Sequence, residues 1–283
     1  MPHTMCEGAR IAYETSGRGP ALVLLHSTAS SAGQWFGLRS ELADRYTTVA
    51  VDLHGHGASD PWPGTRALAL ADEAAAVAAV IGELEGPVHL VGHSYGGAVA
   101  LNLALSGRPL ASLTVIEPVA FHLLRDDPRI DAGLLAEVTA VAGAVQEGVL
   151  SGDYAGGMAR FVDYWNGAGA WAAIRPDRQP GLARMAPAVA LHFAAAVGSP
   201  DRLADCARLA VPTLVLSGER TTAPAAAISS RLATTIPGCH ARVVAGAGHM
   251  LPRTHPEPFL RALVAHLDRV TAGEAKARLL SVA

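Results

Sequence analysis

Residues 90–97 read "LVGHSYGG", and their setting decides how the chain is built. Before them "PVHL" opens an apolar run of the length of a buried strand, and after them "AVALNLAL" has the composition of a helix. Gly92, Ser94 and Gly96 form a G-x-S-x-G pattern in that strand-turn-helix frame. The turn brings strand and helix so close that the positions two before and two after the serine must be nearly free of side chain, and the serine is thrown clear of the strand. Ser94 is therefore a candidate nucleophile. A merely structural glycine turn is the alternative, and the flanking strand and helix weigh against it.

Working outward, apolar runs alternate with helix-like stretches. "ARIAYET", "ALVLLH", "YTTVAVD", "PVHLVGH", "LASLTVIE", "VPTLVLSG" and "HARVVAGA" read as strands; the stretches after Thr65, Ser94, Ala223 and His255 have helical spacing. Such alternation predicts an α/β fold with a mostly parallel sheet flanked by helices. It breaks between about Val119 and Leu209, where no strand is evident and the sequence reads as helices broken by Gly148, Gly156-Gly157, Gly167, Pro176 and Pro180. That excursion is too long for a loop and predicts an inserted helical cap. The expected organisation is a core of residues 1–118 and 210–283 with a cap at 119–209. From Thr271 on, the chain reads as a short helix or frayed tail.

Composition narrows the partners. With 283 residues, half of them hydrophobic, the chain can bury a large core, and its net charge of -3 (pI about 6.4) comes without a basic block. Neither nucleic acid nor a membrane is an expected partner; a small-molecule substrate is, and a homodimer is the assembly the reading allows. The start "MPHTMCEGARIAYETSG" has no apolar signal region, and no uncharged apolar run has the length to cross a bilayer, so the expected location is cytoplasmic. Cys6, Cys206 and Cys239 lack metal spacing and fit reduced thiols.

Other motifs gather around the serine. "ALVLLHSTAS" ends a strand at His26, and in an acyl-transfer site the loop after it supplies one oxyanion-binding N–H, the second coming from the residue after the nucleophile. Those donors are Thr28 and Tyr95, while the side chains of His26 and Ser27 read as structural. "VDLHGHGASD" holds His54 and His56, but without a carboxylate cluster at ligand spacing it reads as a tight turn, and no metal is expected. "VVAGAGHMLPRTHPEPF" sets His249 on a glycine-rich loop that can reach across the top of the sheet as a general base. His255 belongs to the helix start that follows.

Together "LLHSTAS", "DLHGHGASD", "GHSYGG" and "GAGHM" resemble the α/β-hydrolase superfamily over nearly the whole chain. Two departures stand out: His26-Ser27 replaces the family's frequent His-Gly, and Thr221 occupies the place after "VLSGER" where many members carry the aspartate of a triad. Some branches, haloalkane dehalogenases among them, put the acid after the preceding strand, where "LTVIEPV" has Glu117. The resemblance thus implies a Ser94, His249, Glu117 triad, with Glu219 as the competing acid. It implies a cofactor-independent serine hydrolase of a carboxylic ester or lactone. Carbon-carbon bond hydrolysis is an alternative, and so is a non-catalytic receptor or scaffold that kept the pocket. Aromatics crowd the excursion, and Phe121, Phe161, Trp165 and Trp171, with His122, are the candidate lining of a pocket for a hydrophobic or aromatic acyl group, packing of the cap on the sheet being the alternative for each of them.

Overall fold

The computed structural model describes residues 1–126 and 128–281, with side chains for all of these except 128–131 and 274–281. Its strands are β1 (His3–Cys6), β2 (Ala9–Gly17), β3 (Ala21–Leu25), β4 (Thr47–Val51), β5 (His89–His93), β6 (Ser112–Ile116), β7 (Thr213–Gly218) and β8 (His240–Val244). The helices are α1 (Phe36–Leu42), α2 (Leu70–Gly82), α3 (Tyr95–Leu105), α4 (Pro128–Ser151), α5 (Tyr154–Asn166), α6 (Gln179–Ala183), α7 (Ala186–Gly198), α8 (Leu203–Cys206), α9 (Ala223–Thr235), α10 (Leu251–Thr254) and α11 (Pro256–Ser281). The eight strands form one sheet in the order β1-β2-β4-β3-β5-β6-β7-β8. From β4 onward every pairing is parallel, whereas β1–β2 and β2–β4 are antiparallel.

The central strands β3, β5, β6 and β7 are buried throughout and mostly apolar because both faces are covered. In β3, Val23 and Leu25 enter the layer that includes α2, α3 and α9, while Leu22 and Leu24 enter the layer of α1 and α11. Strand β1 escapes the sequence reading: it has four residues of alternating half-exposure and is joined to β2 by the two-residue turn Glu7-Gly8, with φ of 48° and 87°. A non-glycine at the first left-handed position hides the usual hairpin signature. The tail from Thr271 continues α11 as far as Ser281, and its last two positions lie outside the described residues.

Between β6 and β7 the chain runs through a 3-10 turn at Phe121–Arg125 and helices α4 to α8, with no strand among the described residues. Helix α4 packs on α5 and α7. Its stretch Ala132–Ser151 is long and apolar enough to span a bilayer by length and composition, with a mean hydropathy of 1.3. Glu137 and Glu147 interrupt it, and Val138, Val141 and Val145 pack inward.

Sheet register decides where the chemistry lies. Leu25 pairs with Gly92, His93 with Ile116, and Ile116 with Leu216, so β3, β5 and β6 end within one residue of one another and β7 runs two residues further. His26, Ser94 and Glu117 follow these strand ends side by side at the carboxyl edge, the usual ligand-binding edge of open parallel sheets.

Candidate active site

Ser94 sits at the elbow between β5 and α3 with φ 56° and ψ -116°, a conformation that ordinarily selects glycine. Its flanking glycines are sterically required. A Cβ on Gly92 would lie 2.1 Å from the Gly96 carbonyl oxygen, and one on Gly96 would lie 2.5 Å from the Leu25 oxygen. Glu117, after β6, is also held at positive φ, 51°. Past the strand ends, Ser94 N–H donates to Ile116 O at 2.9 Å and Glu117 N–H to Leu216 O at 2.8 Å.

His249 reaches this edge on the loop after β8, which is docked on the turn after β7. Glu219 N–H donates to Val244 O at 3.0 Å, Arg220 N–H donates to Ala247 O at 2.8 Å, and Gly218 lies where a Cβ would meet the Ala247 oxygen at 2.3 Å. The His249 Nε2 is 2.9 Å from Ser94 Oγ and its Nδ1 is 3.1 Å from Glu117 Oε2. One tautomer satisfies both contacts: Nδ1–H donates to the carboxylate and Nε2 accepts the serine hydroxyl. All three side chains are buried. Glu117 Oε1 also accepts from Gly218 N–H at 2.6 Å, and Oε2 accepts from the Thr221 hydroxyl. Glu219, the competing acid, is exposed and accepts instead from Gly246 N–H at 2.8 Å, bracing the His249 loop.

The oxyanion donors of the sequence reading fall beside Ser94. Ser27 N–H is taken by Gln34 Oε1 and Ala29 N–H by His56 Nε2, whereas Thr28 N–H and Tyr95 N–H have no acceptor among the described residues. Gln34 continues the brace: its Nε2 meets His93 Nδ1 at 3.1 Å, and His93 Nε2 meets the His249 carbonyl at 2.9 Å. Burial, then the nearby His249, hold His93 at a pKa of about 3, so it is a neutral strut between the loop after β3 and the histidine loop.

Above Ser94 the helical excursion forms a cleft of about 280 Å³, lined among others by Thr28, Met158, Phe161, Trp165, Ile174 and Arg253. Beneath it a pinched inner space of about 20 Å³ touches Thr28, Ser94, Phe121, Phe161, His192 and Phe193, enough for one water-sized group. Trp165 stacks on His249 with ring centroids 3.7 Å apart. Of the candidate lining residues, Phe121, Phe161 and Trp165 meet at the serine; Trp171 and His122 do not. Trp171 lies in the turn after α5, its N–H held by Asp163 Oδ1 at 2.7 Å and its carbonyl by Gln179. His122 is buried with Nδ1 on the Ala196 carbonyl at 3.1 Å.

A second buried group lies alongside and was not legible as a unit. Glu73, in the first turn of α2, is fully buried, with Oε2 2.9 Å from His54 Nδ1 and Oε1 3.5 Å from His192 Nε2. His192, from α7, stacks on Tyr95 at 3.6 Å and places Nδ1 3.0 Å from Thr28 Oγ1. Burial alone would raise the Glu73 pKa, but its contacts with His192 and His54 outweigh that and hold it at about 2. The His26 and His56 rings accept the N–H groups of Leu53 and Ala29, so the "HGHG" turn is built by imidazoles acting as structural acceptors. No group of metal-ligating side chains occurs among the described residues.

The family model described as "Alpha/beta hydrolase family" matches residues 22–262, and the chain belongs to that family. Among relatives, 2-(acetamidomethylene)succinate hydrolase of Mesorhizobium japonicum is 29% identical over 267 residues, covering 89% of each chain. A pimeloyl-[acyl-carrier protein] methyl ester esterase of Chromobacterium violaceum is 26% identical over 257 residues, covering 90% of this chain and 97% of its own. An uncharacterized Mycobacterium tuberculosis protein is 39% identical over 98 residues, of whose length the match spans 28%. A hydrolase structure from Pseudomonas aeruginosa superposes with a TM-score of 0.74 at 25% identity, over 94% of this chain and 97% of that one.

Proposed function

We propose that the protein is a cofactor-independent serine hydrolase of carboxylic esters or lactones. The observation that carries this is the continuous path from Ser94 Oγ through His249 to Glu117, at 2.9 and 3.1 Å, beside two backbone N–H groups without acceptors among the described residues. Ser94 Oγ attacks the carbonyl carbon while its proton passes to His249 Nε2, and the carbonyl oxygen takes the N–H bonds of Tyr95 and Thr28. The imidazolium, stabilised by Glu117, gives that proton to the departing alkoxide. Water then repeats the sequence on the acyl-enzyme, releasing the acid and restoring Ser94. The methyl ester esterase among the relatives supports ester chemistry.

In this reading, residues 119–209 act as the cap over a small-molecule substrate. The apolar lining favours a hydrophobic acyl group, and the inner space is so narrow that the bulk of the substrate lies in the outer cleft.

The test is covalent labelling. A fluorophosphonate should add one adduct to the intact protein, Ser94→Ala should take none, and p-nitrophenyl butyrate hydrolysis should disappear with it. Labelling that survives Ser94→Ala, or a wild-type protein inert towards a panel of esters and lactones, overturns the proposal.

A further inference from the structure

The mechanism above uses the backbone of Thr28 and leaves Glu73 and His192 without a task. Yet Glu73, His192 and Thr28 repeat the pattern of carboxylate, imidazole and hydroxyl found in Glu117, His249 and Ser94, and both patterns end at the same inner space. Glu73 and His192 are both buried, so the polarity of the chain they form is fixed by what each atom can do.

Glu73 is an acceptor. Its Oε1 and the His192 Nε2 have no hydrogen-bond partner of normal length and face each other at 3.5 Å. If Nε2 carried no proton, its lone pair would point at a buried carboxylate oxygen, two negative ends meeting where no water screens them. With the proton on Nε2 the contact is attractive, and Nδ1 is left as an acceptor. Thr28 Oγ1, 3.0 Å from Nδ1, must then donate its single proton to the imidazole. A threonine hydroxyl whose proton is committed has only lone pairs left to offer. Burial lowers the His192 pKa despite the pull of Glu73, which keeps the ring neutral near pH 7 and so available to accept.

We infer that Thr28 Oγ1, oriented by His192 and Glu73, is a hydrogen-bond acceptor that selects substrates with a donor, hydroxyl or amide N–H, on the carbon next to the scissile carbonyl. The inference rests on the hydrolase reading above. The geometry is local: a carbonyl oxygen held by Thr28 N–H brings the substituent on the adjacent carbon towards the hydroxyl of the same threonine. The inner space suits a group that small, and its lining is otherwise mostly aromatic and aliphatic. An unsatisfied lone pair there disfavours a substrate that fills the place with a methylene. Thr28 thus has two tasks, one for its N–H and one for its hydroxyl, while His192 and Glu73 are positioning residues.

Ethyl lactate and ethyl propanoate form the matched pair, followed by pH-stat. The readout is the ratio of their kcat/KM values, compared between variants so that intrinsic ester reactivity cancels. Thr28→Val, which keeps the shape and the backbone N–H, should lower that ratio about tenfold, the usual scale for one hydrogen bond, and Thr28→Ser should restore it. Nitrogen-15 spectra of histidine-labelled protein should show His192 with Nε2 protonated and Nδ1 bare. A ratio unchanged within twofold in Thr28→Val, or the opposite His192 tautomer, overturns the inference. If neither ester is cleaved, the hydrolase reading is still judged on p-nitrophenyl butyrate and the fluorophosphonate adduct, which keeps its failure distinct from that of this inference. NMR titration of wild type and Thr28→Val with lactamide and propanamide, which need no turnover, then decides whether the donor is recognised.

Discussion

Glu117 is buried, yet it meets three donors: Gly218 N–H, the Thr221 hydroxyl and His249 Nδ1. Thr221, at the position where the resemblance leads one to expect an aspartate, donates its hydroxyl to the Glu117 carboxylate. Glu117→Gln should therefore fold normally and lose activity by on the order of ten-thousandfold, because an amide cannot hold the imidazole in the required tautomer or stabilise its charged form. Thr221→Val removes only one donor and should cost about three- to tenfold in kcat, in place of the neutrality that a bystander would show. Glu219→Gln, whose amide oxygen can still accept from Gly246 N–H, should stay within about twofold of wild type. Turnover of p-nitrophenyl butyrate, with circular dichroism as the folding check, separates these outcomes. Near-normal turnover in Glu117→Gln alongside a collapse in Glu219→Gln would sink the assignment.

Helix α5 supplies much of the excursion's lining of the cleft. Its residues Met158, Phe161, Val162, Trp165 and Asn166 recur at helical spacing and turn one face to the cleft. Trp165 lies on His249 and is also part of the core, so shortening it would confound catalysis with stability. Phe161 is the better probe: half-buried, edge-on to Phe193 at 6.0 Å, and shared by the cleft and the inner space. Phe161→Ala should join the two spaces and raise the relative kcat/KM for octanoyl over butanoyl esters by about tenfold, the gain expected when roughly two of the four extra methylenes become buried at about 0.8 kcal/mol each. A uniform loss for all chain lengths would assign Phe161 to packing alone. At the same scale, the sheet and elbow were legible because they rest on local rules: apolar runs, strand-turn-helix order and glycines where a Cβ would collide. The lining of the cleft under the helical excursion was half legible. Aromatic content marked Phe121, Phe161 and Trp165, but the same signal marked Trp171, which packs against the core and is not among the residues lining either space.

Across the whole molecule the distribution of histidines sets a pH limit. Burial lowers the pKa of His26, His56, His122 and His192, and takes His93 to about 3 and His266 to about 4. Their unfolded values lie near 6.5, so below that pH the unfolded chain binds protons that the folded chain refuses, and stability falls as pH falls. Each such group removes up to about 1.4 kcal/mol per pH unit in that window. Glu73 acts in the same direction lower down, its contribution being lost from about 4.5 towards its folded value of about 2. Thermal unfolding should therefore show a Tm lower by about 10 °C or more at pH 5 than at pH 7. A flat Tm over that range would mean that these histidines are not held neutral.

The sequence alone determined the parallel sheet, the helical excursion after Ile116, the serine elbow and the histidine loop, because each depends on residues close together in the chain. Tertiary structure decided what depends on distant residues meeting. Glu117 rather than Glu219 faces His249 because the register of β6 and β7 sets one carboxylate under the loop and turns the other out to brace it. The chain from Glu73 through His192 to Thr28 joins α2, α7 and the loop after β3, and no spacing in the sequence announces it. A hydrogen bond is satisfied by position in space, and only packing brings those three segments to one point.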